Sequence, residues 1–386
     1  MSGVPLATDI QSLFAANSAN GDFLQGRKVE DLIGLCLSGG GYRAMIYHVG
    51  ALIRLNAAGY LPRLDEVASV SGGSITAAYL ALKWQQLTFD LDGRATNFLP
   101  VIAQPLLALA RRGIDIRAIL YGLLPGCSAA DSLVRAYDRY LFHGACLQDI
   151  ADKPRFTFMA TNLQTGSGWR FAKGYAADHR VGLIENPTIP LARVVAASSG
   201  FPPMLSPVRI DLTGLDVKPL RGADLHCKPF TEEAVLTDGG VYDNLGLERV
   251  WKRCRTVFVS NAGKAVSEVG RPSGRWIGQM FRTLAIIQQQ AENSRRRILF
   301  GMANAGHRNV AYWEIGAAPD EYSVVDRLPL TKAEALAASR IRTRLNPFSR
   351  SESVLLLKAG YAGADSALRA RGFVCTLGAF DDIDAA

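Results

Sequence analysis

The chain lacks any run of about 20 uninterrupted apolar residues, so nothing in it reads as a membrane-spanning helix. It also lacks cysteine pairs. Cys36, Cys127, Cys146, Cys227, Cys254 and Cys375 lie far apart and none belongs to a CxxC motif, which excludes the usual zinc and redox arrangements and suits reduced thiols. The opening stretch, MSGVPLATDIQSLFAANSANGDF, has neither the basic start nor the continuous apolar segment of a secretory signal, so the expected setting is the cytoplasm. Internal repeats and Ser/Pro/Gln-rich tracts are missing, which points to a compact globular chain with disorder confined to its ends. Zinc-finger spacing, RNP-like aromatic motifs and a long basic arm are missing too, so nucleic acid is not an expected partner.

What is present is a chain of 386 residues, 48% hydrophobic, with a formal net charge of +8 carried by scattered arginines. Such a charge favours anionic surfaces. Leu32–Leu37 is a short apolar run that stops at Ser38-Gly39-Gly40-Gly41, and a helical pattern follows from Tyr42 to about Leu55. The order repeats at once: Glu66–Val70 reads as a strand, Ser71–Ser74 as a turn and Ile75 to about Gln86 as a helix. Two successive strand-turn-helix units imply a parallel sheet in an α/β fold. Further strands are expected at 156–160, 209–212, 234–236, 256–260 and 310–315, one long helix at 276–302 and helices after Thr331. Residues 212–231 read as a surface excursion. The expected organisation is an N-terminal arm at 1–30, a core at 31–262 with a helical cap near 97–142, and a helical extension at 263–386 packed on that core.

A strand that ends in SGGG and opens a helix presents unobstructed backbone N–H groups beside the positive helix end, a place for an anion. The segment SGGGYRAM fits neither GxGxxG nor GxxxxGK[ST], which leaves a transient oxyanion as the candidate guest. The serine turn offers the complementary half. A nucleophile elbow needs serine on a tight strand-to-helix turn between small residues, and neither Ser71 nor Ser74 meets GxSxG strictly. Ser74 is selected because the strand run ends at Val70 and the helical pattern begins at Ile75. The alternative for Ser74 is a helix N-cap. The histidines, His48, His143, His179, His226 and His307, sit in no motif that identifies a triad partner, so a carboxylate is considered as base. Asp238, at the end of an apolar run and followed by Gly239-Gly240, can serve if burial raises its pKa towards neutrality. As isolated residues, Asp238 and Asp243 would be ordinary turn formers.

These pieces, in this order, resemble the patatin-like phospholipases and the catalytic domain of the related cytosolic phospholipases A. The match lies in Ser38–Ala44 as the glycine-rich loop, Gly72–Thr76 as the nucleophile turn and Asp238-Gly239-Gly240 as the aspartate motif. Two segments add to it: FMATNLQTGSGWRF (Phe158–Phe171) is similar to a strand pair of that fold, and AASSGFPPMLSPV (Ala196–Val208) to its Pro-rich loop. Thr76 departs from the final glycine of GxSxG. The resemblance implies a three-layer fold with a mostly parallel sheet flanked by helices, and a Ser74–Asp238 dyad that cleaves fatty-acyl esters through an acyl-enzyme. It further implies an oxyanion hole at Gly39, Gly40 and Gly41, with no metal or organic cofactor. Arg43 would neutralise a substrate phosphate or steady the loop. A catalytically silent anion-binding protein and an acyltransferase remain alternatives on the same fold.

The implied partner is a phospholipid membrane surface, met by peripheral association. Two stretches could meet it, Pro105–Gly126 and Arg295-Arg296-Arg297 with Ile286 and Ile287; each could instead be an ordinary packed or solvated helix. Trp169, Trp251, Trp276 and Trp313 are dispersed and read as packing residues. The hazard of such an activity to its own cell points to control by a homo-oligomer, a small-molecule activator or delivery to another cell.

Overall fold

The computed structural model describes residues 29–114, 128–263 and 266–384. The expected N-terminal arm and much of Pro105–Gly126 lie outside them. The chain enters the sheet with β1 (Glu30–Leu37), turns through the glycine loop into α1 (Gly41–Ala57), and returns through β2 (Glu66–Val70) into α2 (Gly72–Lys83). All five residues of β2 are buried, as a parallel strand covered on both faces requires. The cap region follows with α3 (Gln104–Ala110) and α4 (Ala129–Tyr137). Leu106, Leu107, Leu109 and Ala110 of α3, with Ile102 just before it, are buried in the main core, which commits the leucines in the described part of Pro105–Gly126 to packing.

Next come β3 (Arg155–Asn162), β4 (Gly168–Ala172), β5 (Tyr175–Asp178), β6 (Gly182–Glu185), α5 (Leu191–Ser199), β7 (Val208–Asp211), β8 (Val217–Lys218) and β9 (Glu233–Asp238). The chain ends with α6 (Gly240–Asp243), α7 (Leu247–Trp251), β10 (Cys254–Asn261), α8 (Trp276–Asn304), β11 (Asn309–Glu314), α9 (Lys332–Arg340), α10 (Arg350–Ala370) and α11 (Asp381–Asp384). The sheet runs β11-β10-β1-β2-β3-β4-β5-β6-β8, with β9 attached to β3 and β7 to β9. The run from the edge strand β11 to β3 is parallel, and the strands beyond β3 pair antiparallel.

Helices cover both faces, which makes the fold a mixed α/β sandwich of three layers. On one face α1 packs against α10 so closely that a Cβ at Gly50 would run into the Leu357 carbonyl, and one at Gly360 into that of Tyr47. On the other face α7 and the C-terminal end of α8, through Val250, Leu299 and Met302, close a second core over Cys36, Val257 and Val310. This arrangement brings three chain turns to the C-terminal edge of the parallel strands: the loop after β1, the turn after β2 and the end of β9. Ligand sites of open α/β sheets collect at that edge. Among the described residues, no helix is long and apolar enough to cross a membrane.

Candidate active site

The turn after β2 falls one residue past the end of the strand. Ser71 carries φ 51° and ψ −121°, a left-handed conformation that L-residues adopt at a cost and that tight strand-to-helix elbows impose on the side chain they display. The helix starts at Gly72, three residues earlier than its apolar pattern suggests. Gly72 and Gly73 are part of this helix and serve close packing. A Cβ at Gly72 would collide with the Gly41 carbonyl, and one at Gly73 with the Leu37 and Ser38 carbonyls. Two glycines that look like a turn are therefore the floor on which α2 meets the glycine loop.

This shifts the two serines relative to the sequence expectation. Ser74 is not on the turn; it lies in the first helical turn, fully buried. Its surroundings fix the direction of its proton. Ser198 donates its single hydroxyl proton to the Met159 carbonyl at 2.6 Å, so it accepts from the Ser71 N–H at 3.1 Å and from the Ser74 hydroxyl at 2.8 Å. Ser69 supplies the remaining partner of Ser74 at 2.9 Å. Ser74 is thus a satisfied buried hydroxyl whose hydrogen-bond partners among the described residues are Ser69 and Ser198, not a carboxylate.

Asp238 meets Ser71 instead. Burial pushes the Asp238 carboxyl up to about 6, and hydrogen bonding from the Ser71 hydroxyl and from the Gly240 N–H, at 2.7 Å to Oδ1, offsets only part of that rise. The end of β9 is fixed on every side. Asp238 donates its N–H to the Gly200 carbonyl and accepts from the Thr161 hydroxyl on its own carbonyl, and Gly239 donates to the Ser198 carbonyl. A Cβ at Gly239 would strike the Met159 carbonyl, which is why the aspartate must be followed by glycine.

The glycine loop lies against the same serine. The position of a Cβ on Gly39 would be 3.1 Å from the Ser71 Cβ. Gly40 and Gly41 adopt φ 139° and 56°. The glycine N–H groups here are not equivalent: that of Gly39 is donated to the Asn244 carbonyl at 3.1 Å, whereas those of Gly40, Gly41 and Gly72 meet no acceptor among the described residues. The latter three are the N–H groups open to an anion beside Ser71.

Arg43 is fully buried. Its guanidinium donates to the carbonyls of Ser339 at 3.0 Å, Ile341 at 3.1 Å and Ala262 at 2.7 Å, and burial lowers its pKa to about 10. That leaves it no reach to a substrate phosphate; it ties the glycine loop to the C-terminal segment. Of the residues the sequence singled out, the structure gathers Asp238, Gly39, Gly40 and Gly41 at one place, keeps Arg43 behind them and sets Ser74 below.

Several residues here escaped the sequence reading. His48 stands beneath the loop, its Nε2–H donated to the Ser38 carbonyl at 2.9 Å and its Nδ1 accepting from the Ser260 hydroxyl at 2.8 Å. Burial lowers its pKa to about 4, so it is a neutral prop. Asn244 joins the site to α8 by donating to Glu292 at 3.0 Å, while Gln288 donates to the Gly240 carbonyl at 3.1 Å. Ser198 carries the serine turn, and its only sequence signal is its place beside the Gly-Phe-Pro-Pro segment.

The sheet order and the two helical layers define the class as a mixed α/β fold with its glycine loop and serine turn at one strand edge. A family model described as patatin-like phospholipase matches residues 35–251, more than half of the chain, and the chain belongs to that family. Among solved structures, human GIVD cytosolic phospholipase A2 is similar at 12% identity with a TM-score of 0.51, over 95% of this chain and 65% of that one. The same human enzyme in complex with methyl gamma-linolenyl fluorophosphonate matches at 14% identity and a TM-score of 0.48, over 95% of this chain and 62% of that one. VipD from Legionella pneumophila matches at 15% identity and 0.33, over 86% and 67%. At 12% identity the likeness to the first structure is one of fold, and this chain spans 65% of its length. No curated protein matches the chain significantly.

Proposed function

We propose that the protein is a phospholipid acyl hydrolase in which Ser71 is the nucleophile and Asp238 the general base. The observation that carries this reading is the pairing of a serine on a strained strand-to-helix turn with a buried carboxyl whose pKa is raised to about 6. A carboxylate with that pKa is ionised at neutral pH yet basic enough to take a hydroxyl proton as the nucleophile attacks.

In this mechanism Ser71 Oγ adds to the carbonyl carbon of a fatty-acyl ester while its proton passes to Asp238. The N–H groups of Gly40, Gly41 and Gly72 face the oxygen that gains negative charge. Gly39, expected in that role, has its N–H committed to Asn244, so its part is the close approach of the loop to Ser71. Collapse of the tetrahedral intermediate breaks the ester C–O bond, and the leaving lysophospholipid oxygen takes the proton from Asp238. Water, deprotonated in turn by Asp238, attacks the acyl-enzyme and releases the fatty acid. Phospholipid is the substrate class that the family membership supports.

The test is mass spectrometry of products from a mixed phospholipid extract. Free fatty acid and lysophospholipid accumulate with the intact chain and not with Ser71→Ala. Equal product from both would reject the assignment, and acyl groups moved to an added alcohol instead of water would make the protein a transferase.

A further inference from the structure

The long helix α8 is poorly covered over its N-terminal half. Trp276 is 73% exposed, Ile287 59% and Met280 48%, and the only buried α8 residues are Leu299 and Met302 near its other end. The spacing sorts the helix into two stripes. Gln288, Glu292, Arg295 and Leu299 stand at i, i+4, i+7 and i+11 and face the protein, where they engage Gly240, Asn244, Asp243 and the second core. Trp276, Met280 and Ile287 stand at i, i+4 and i+11 on a separate stripe, about 100° round from Gln288. Ile277, Phe281 and Ile286 add exposed apolar surface on the other faces of this half.

Charge on this half has one sign. From Arg271 to Ile287 the only ionisable side chains are Arg271, Arg275 and Arg282. Arg271 and Arg275 are exposed, and Arg282 is half-buried against the Ser267 carbonyl. The expected basic site at Arg295–Arg297 differs, because Arg295 is paired with Asp243 and Arg296 with Glu314. Exposed apolar side chains also flank the candidate site. Val241, three residues past Asp238, is 40% exposed; Phe201 and Met204, in the loop after the Gly200 carbonyl that receives the Asp238 N–H, are 45% and 52% exposed.

We propose that the N-terminal half of α8, with Arg271, Arg275 and Arg282, docks the molecule on the surface of an anionic phospholipid bilayer. An apolar stripe flanked by cations and free of acids matches the interface of such a bilayer, where the stripe enters the acyl boundary and the guanidinium groups meet headgroup phosphates. The inward stripe holds the turn after Asp238, so docking would bring the rim of Phe201, Met204 and Val241 to the lipid. The proposal rests on phospholipid being the substrate of that site.

Binding is measured by vesicle co-sedimentation of the full chain carrying Ser71→Ala, so the result stands whether or not the chain hydrolyses lipid. Vesicles of phosphatidylcholine containing about one-third phosphatidylglycerol should bind the protein at least about tenfold more tightly than phosphatidylcholine alone, and high salt should erase the difference. Adding Trp276→Ser, Met280→Ser and Ile287→Ser should lower binding at least about tenfold. A second readout avoids multiple substitution: the blue shift of tryptophan emission on adding anionic vesicles should vanish in Trp276→Phe. Undiminished binding by the triple variant, equal binding to both vesicle types, or an unchanged blue shift in Trp276→Phe would overturn the proposal. So would a dimer, seen by sedimentation without lipid, that the triple variant dissociates.

Discussion

Ser71 and Ser74 are three residues apart and differ in one respect that matters for chemistry, namely the acceptor of the hydroxyl proton. The Ser74 proton goes to Ser198, whose own proton is committed to Met159, and no base lies at the end of that chain. The Ser71 hydroxyl faces a carboxyl. Ser71→Ala is therefore expected to lower ester hydrolysis by about 10⁴-fold with the thermal midpoint preserved. Ser74→Ala should keep activity within about tenfold and cost about 1–3 kcal/mol in denaturant unfolding, because it strands the buried partners of the hydroxyl. The raised pKa of Asp238 sets the pH profile. The base must be ionised, its pKa lies at about 6, and so kcat/KM should fall tenfold per pH unit below about 6 and level off above it. A profile flat from pH 5 to 8 would contradict Asp238 as base. At this scale the sequence was half legible: the aspartate stands out because an apolar strand, a carboxylate and two glycines must coincide, whereas the serine was displaced by reading Gly72-Gly73 as a turn. No local pattern distinguishes a glycine needed for positive φ from one needed because another backbone carbonyl sits where its Cβ would be.

The elements around the site are held together by the glycine loop and by Arg43. The side chain of Arg43 crosses from the start of α1 to carbonyls at the end of β10 and at the end of α9, and Gly41 packs directly on the Thr343 carbonyl. The segment 341–348 therefore lies against the loop whose N–H groups face the proposed oxyanion. Arg43→Met removes the donor of three carbonyls and is expected to cost about 3 kcal/mol or more in urea unfolding, with kcat reduced more than KM is raised. Unchanged stability would show that these carbonyls find water. The strands, the glycine loop and the long helix were legible because each has a strong local period; α8 spans Trp276–Asn304, close to the expected 276–302. The clamp was not legible, since nothing in the sequence near Arg43 announces partners 219 to 298 residues away.

At the scale of the molecule, the α/β class and the parallel centre follow from the two strand-turn-helix units at the start. The expected boundary at 262 falls just after the end of β10. The chain after it supplies β11, which extends the sheet beside β10 from Thr256↔Asn309 to Asn261↔Glu314, and α10, which packs on α1. We propose that 31–262 and the segments that follow fold as one unit. Residues 1–262 alone are expected to be insoluble or to unfold without cooperativity, because α1 would lose the partner that fits Gly50 and Tyr47. A cooperative thermal transition in that fragment would contradict this.

The central claim is that Ser71 is the nucleophile and Asp238 its base. It is tested most directly by treating the full chain with a fluorophosphonate and mapping the modified peptide by mass spectrometry, alongside Asp238→Asn. A single adduct on Ser71 is expected, formed far more slowly in Asp238→Asn; an adduct on Ser74, or none on the native chain, would contradict the assignment.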